Sequence, residues 1–124
     1  MSEDEKTEAR IQQDIVMWFR NEYCLKHHDP RSIILSIPNN REYGMREVGM
    51  MSGASDLLVI HRTSPGPGPI KQRIIWCEVK TPKTKDTAGG IQSPIQKKRQ
   101  EHIEQMGMEY VIVRSREEFI LKIL

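Results

Sequence analysis

The sequence predicts an α/β fold in which a mixed β-sheet carries helices on its faces, in the order α-β-β-β-α-β-α. Three observations support this prediction. An apolar stripe with helical spacing lies near the start, where Ile11, Ile15, Trp18 and Phe19 recur at three- and four-residue steps. Two β-branched, apolar runs, "SDLLVIHR" and "RIIWCEVKT", flank the Pro-Gly segment "TSPGPGP", the pattern of a hairpin with a long tip. Beyond them a capped helix, opening at "SPIQ", precedes the strand-like "EYVIVRS".

In chain order, the stripe predicts a helix from Glu8 to about Tyr23. "CLKHHDPR" reads as a loop stopped by Pro30, and "SIILSIP" (32–38) as a strand ended by Pro38. Residues 41–54 show no period, and Gly44, Gly49 and Gly53 suit an irregular approach to the next strand. The hairpin follows, with strands at 55–62 and 73–81. "PKTKDTAGG" is a basic exposed loop. Ser93 is a good N-cap, Pro94 fits the first helical position and Gln96 completes a capping box. That helix runs to about Met106 and stops at Gly107. Residues 109–115 form a strand, and Ser115 with Glu118 caps a closing helix that carries Phe119, Ile120 and Ile123.

A chain of 124 residues fits one domain, 1–124, with one modest core. No run approaches the roughly 20 apolar residues that span a bilayer, and the acidic start "MSEDEKTEAR" fits no signal peptide. Cys24 and Cys77 form no CxxC pair and no zinc spacing, which favours plain thiols in a reducing, cytoplasmic setting. Net charge is only +2, but residues 71–100 hold eight Lys or Arg against Glu78 and Asp86. Clustered cations of this kind suit a polyanion, although composition alone favours a solvated surface.

Chemistry enters with "CEVK". If the hairpin is symmetric about Pro67, facing residues have a constant sum: Ile60 faces Ile74, Leu58 faces Trp76, and Asp56 faces Glu78. Alternation then places Asp56, Glu78 and Lys80 on one face. Two facing carboxylates repel, and a hard divalent cation such as Mg²⁺ offsets that repulsion while leaving room for water and phosphate. Lys80 beside them is a point charge suited to a phosphate or an attacking water. Together these are the parts of metal-assisted phosphodiester hydrolysis. Glu8 extends the helical stripe toward the sheet and is a third carboxylate candidate; acids in a first turn also simply favour the helix dipole.

The run "GMMSGASDLLVI", followed about twenty residues later by "WCEVKTP" and then by "SPIQKKRQEHIEQMGMEYVIVRS", resembles the virus-type replication-repair nuclease (VRR-NUC) family. That family belongs to the PD-(D/E)xK nuclease superfamily. The resemblance implies a restriction-endonuclease-like core and a Mg²⁺-dependent DNA endonuclease in which Mn²⁺ substitutes. It implies that Asp56, Glu78 and Glu8, with the main-chain carbonyl of Val79, hold the metal. Lys80 corresponds to the motif lysine, and Gln96 to the glutamine on the following helix. Standalone domains of this kind cut branched DNA as homodimers, in the manner of Holliday-junction resolvases. Ser55 stands where the superfamily name places proline, a change that removes no chemistry.

Lys83, Lys85, Lys97, Lys98 and Arg99 flank the proposed site in sequence and suit contacts to the phosphate backbone. Arg114 and Arg116 are weaker candidates. His27 and His28 suit a surface loop, and His61 and His102 show no Ser or Cys partner in the sequence. "GPGP" lacks the backbone donors of a phosphate loop. The methionines suit core filling or a dimer surface. Two alternatives stay open: a sequence-specific restriction-type endonuclease and a metal-free, non-catalytic basic DNA-binding module.

Overall fold

A computed structural model describes residues 3–24, 32–37, 56–63, 69, 71–85 and 89–124 of the chain. The elements are α1 (Glu3–Phe19), β1 (Ser32–Ser36), β2 (Leu57–Thr63), β3 (Lys71–Val79), α2 (Pro94–Gln105), β4 (Glu109–Val113) and α3 (Arg116–Ile123). Their order is the predicted one. The first helix starts at Glu3 rather than Glu8, since acidic residues favour the positive end of a helix without belonging to its apolar stripe. It ends in a π-helical turn, Arg20–Cys24.

The four strands form one sheet in the order β1-β2-β3-β4. The first two pairings are antiparallel and β3–β4 is parallel, so the sheet is mixed. The constant-sum register holds: Leu58 pairs with Trp76 and Ile60 with Ile74, and the ladder runs from Leu57↔Cys77 to Thr63↔Lys71. A parallel partner for β3 requires a crossover, and α2 supplies it.

Alternation divides the sheet into two faces. Leu57, Val59, Ile75, Cys77, Val79 and Val113 point to one face, where they join Ile15 and Phe19 of α1 and Phe119 and Ile123 of α3 in the main core. Trp76, Glu78 and Lys80 point to the other face, toward α2. Cys77 is a fully buried core thiol, and burial pushes its pKa far up, which suits packing and not reactivity. Around the back of β3, Arg73 donates to both Glu109 carboxylate oxygens and to the carbonyl of Ile123, tying α3 to the sheet. Among the described residues no helix is long and apolar enough to cross a membrane.

His61 corrects the sequence reading. It has a serine partner: Ser32 faces it across β1–β2, and Ser32 Oγ lies 2.8 Å from His61 Nδ1. A partner 29 residues away is invisible to local spacing. The ring is buried against Phe19 and Tyr23, with centroids 5.5 Å and 4.4 Å away. The pair is a satisfied polar contact within the aromatic part of the core. Burial, helped by the positive charge of Arg73, lowers the His61 pKa from 6.5. The unfolded chain therefore binds a proton that the native ring resists. Stability falls as pH drops below about 6.5. Urea unfolding at pH 7.5, 6.5 and 5.5 is expected to show that slope in the wild type and a shallower one in His61→Gln.

Candidate functional site

The site forms where β2 and β3 end beside the start of α2. Asp56 stands one residue before β2, outside the ladder. Its carbonyl accepts from Ile37 N at 2.9 Å, and its carboxylate Oδ2 accepts from Val79 N at 2.7 Å. The side chain thus replaces the backbone acceptor that the ladder no longer supplies, and this anchors the acid against β3. Burial raises the Asp56 pKa above the usual aspartate value, with the Glu78 charge acting in the same direction. The Val79 N–H and Lys80 oppose both.

Glu78 is fully buried, an expensive place for a carboxylate. Its Oε1 accepts from the Tyr110 hydroxyl and, at 3.4 Å, from Gln92 Nε2. Its Oε2 is buried with no hydrogen-bond partner. A cation lies beside it: Lys80 Nζ is 3.9 Å from Oε2. Lys80 continues past the strand, where its N–H donates to the Val113 carbonyl at 3.0 Å. Its side chain is only 13% exposed, and Nζ donates to Gln96 Oε1 at 3.1 Å.

Gln96 combines the expected capping box with a contact to Lys80 that the sequence did not indicate. Ser93 Oγ accepts from Gln96 N, and Gln96 Oε1 accepts from Ser93 N at 2.8 Å, a complete capping box. The same Oε1 receives the Lys80 ammonium. The start of α2 therefore holds Lys80 in place. α2 ends at Met106, and Gly107 follows with φ +83°, a left-handed position that glycine occupies without strain.

The basic loop returns to the site at Gly89 and Gly90. Gly90 N donates to the Thr81 carbonyl at 3.3 Å, and Arg114 Nη1 donates to the same carbonyl at 2.6 Å. Gly89 has φ +79°, and a Cβ there would sit 2.7 Å from the Thr81 oxygen. Only glycine permits this closure. Arg114 is thus committed to a backbone staple rather than to an open surface. Lys83, Lys85, Lys97 and Lys98 are exposed, and Arg99 is half-buried.

Asp56, Glu78, Val79, Lys80 and Gln96 therefore come together. Glu8 is half-buried on α1, which packs on the Val79 face of the sheet. Among the described residues no three His, Cys, Asp or Glu side chains group as a metal cage, so Glu8 does not complete a three-carboxylate cluster with Asp56 and Glu78. The residues present nonetheless fit a hard cation: two carboxylates and a main-chain carbonyl are oxygen donors, and one buried carboxylate oxygen lacks a partner. Tyr110 and Gln92 are additions that sequence reasoning missed. A tyrosine in a buried strand calls for a hydroxyl partner, which is the signal that points to Tyr110. His27, His28 and the methionines of 45–51 lie outside the described residues.

The chain matches no protein-family model and no curated protein. A solved structure described as a VRR_NUC domain protein is similar to it at 20% sequence identity, with a TM-score of 0.66. The match covers 94% of this chain and 84% of that one. At that identity the likeness establishes a shared fold: this chain has the α/β architecture of that domain.

Proposed function

We propose that the chain is a metal-dependent endodeoxyribonuclease that hydrolyses phosphodiester bonds in branched DNA without strong sequence preference. The observation that carries this reading is Glu78 Oε2, a buried carboxylate oxygen with no hydrogen-bond partner, set beside Lys80 and near Asp56. A metal-free binding module gives no reason to leave one oxygen of a buried acid without a donor, a loss of about 1–3 kcal/mol.

Asp56, Glu78 and the Val79 carbonyl would hold Mg²⁺ or Mn²⁺, and Glu8, on the far side of the sheet, stays outside that set. When bound, such a cation polarises the phosphate and acidifies its water. Lys80, held by Gln96, directs its ammonium to where an attacking water or a phosphate oxygen sits, and stabilises charge as it develops there. Lys83, Lys85, Lys97, Lys98 and Arg99 grip the backbone without reading bases. A symmetric four-way junction calls for two copies, so the acting form is a homodimer.

The test is cleavage of an immobile four-way junction and a matched linear duplex with Mg²⁺, Mn²⁺ or Ca²⁺. Junction cutting with Mg²⁺ or Mn²⁺, faster than cutting of the linear duplex, is the expected result. Binding without cutting under every metal overturns the catalytic reading. Equal cutting of both substrates overturns the branch preference alone.

A further inference from the structure

The two oxygens of Glu78 are treated unequally, and the inequality is built from residues outside the catalytic set. Oε1 accepts from the Tyr110 hydroxyl and from Gln92 Nε2. Tyr110 reaches it because β4 pairs with β3 in parallel, with Tyr110 opposite Trp76 and therefore on the Glu78 face. Its ring is buried and its hydroxyl swings on only two torsions, so the donor is rigid. Gln92 is itself fixed, donating to Gln100 Oε1 on α2 at 3.0 Å. With one oxygen engaged by two donors, the carboxylate plane is set. The other oxygen is left for the site.

We infer that Tyr110, assisted by Gln92, is a positioning residue that immobilises Glu78 through Oε1 so that Oε2 alone is presented to a divalent cation. The inference rests on the nuclease reading above and deepens it. A carboxylate free to rotate can chelate through both oxygens or exchange one for the other. A clamped one offers a single donor atom in one place. Hydrogen bonds behind a ligand act this way in metal sites generally, and their loss weakens metal affinity by about 10–100-fold.

The readout is Mn²⁺ binding to the full chain without DNA, by isothermal titration calorimetry, alongside thermal unfolding in EDTA. Tyr110→Phe keeps the ring and removes only the hydroxyl. It is expected to bind Mn²⁺ at least about 10-fold more weakly. Its cleavage rate should fall at low Mn²⁺ and recover as Mn²⁺ saturates, a split that a merely structural tyrosine does not produce. A folded Tyr110→Phe protein with wild-type Mn²⁺ affinity overturns the inference, whatever its melting temperature. Should that variant not fold, Gln92→Ala takes its place. A smaller weakening in the same direction is expected there, and unchanged affinity overturns the inference. Wild-type protein that binds no Mn²⁺ removes the nuclease reading and this inference together, whereas wild-type binding with unchanged variants removes only the inference.

Discussion

Lys80→Ala is expected to lower the single-turnover cleavage rate by on the order of 10²–10³-fold, the cost of losing one preorganised charge at the reacting phosphate. DNA affinity should stay close to wild type, since the exposed Lys83, Lys85, Lys97 and Lys98 supply the counterion-releasing contacts. The ammonium is placed and not loose: Gln96 Oε1 holds it at 3.1 Å, and Gly90 packs on its stem, where a Cβ would lie 3.4 Å from Lys80 Cδ. For that reason Lys80→Arg should not rescue the rate. A planar fork does not fit a seat shaped for a compact charge. Removing the lysine also takes a cation 3.9 Å away from the buried Glu78 oxygen, so the variant should unfold at a lower temperature. Lys80→Met restores the apolar stem without the charge and separates packing from chemistry. If either neutral variant cuts within tenfold of wild type, Lys80 is not part of the reaction.

The difference between Lys80 and Tyr110 shows which parts of this site are legible in a sequence. The hairpin register depends on a tip and two flanking runs that are contiguous in the chain. Those residues alone are enough to place Asp56, Glu78 and Lys80 on one face. The capping box at Ser93 is equally local, spanning four residues, and it carries Gln96 to Lys80. Tyr110 is different. Its approach to Glu78 depends on the parallel register of β4, which the crossover through α2 sets and no short-range signal encodes. Ser32 and His61 escape notice for a related reason: they meet across a pairing whose connecting residues carry no readable period. The sequence also over-extends strand ends. β1 stops at Ser36, and the Ile37 N–H, next in the same register, donates to the Asp56 carbonyl, a contact that belongs to the site's scaffold.

Asp56→Asn is expected to move stability and activity in opposite directions. The Asp56 carboxyl titrates above its ordinary value because burial and the Glu78 charge disfavour the ionised form more than the Val79 N–H and Lys80 favour it. The sign follows from linkage: an acid whose native pKa is raised makes the fold less stable at pH values above that pKa, and the penalty disappears in acid. An asparagine Oδ1 accepts from Val79 N as the carboxylate does, while carrying no charge. In EDTA at pH 7 the variant should therefore melt higher than wild type, by roughly 3 °C if about 1 kcal/mol is recovered in a chain of this size. The gap should close toward pH 4. Added Mn²⁺ should reverse the ranking. At a hundred times its dissociation constant a ligand stabilises by about 2.7 kcal/mol, and the wild type gains this while the asparagine variant gains little. Cleavage by the variant should fall by at least about 10²-fold. A variant that Mn²⁺ stabilises as strongly as wild type would show that Asp56 holds no metal. One that melts lower in EDTA would show that the carboxylate is there for the fold. The expected pattern leaves a third explanation, in which two acids are kept together against their mutual repulsion because a cation is meant to lie between them.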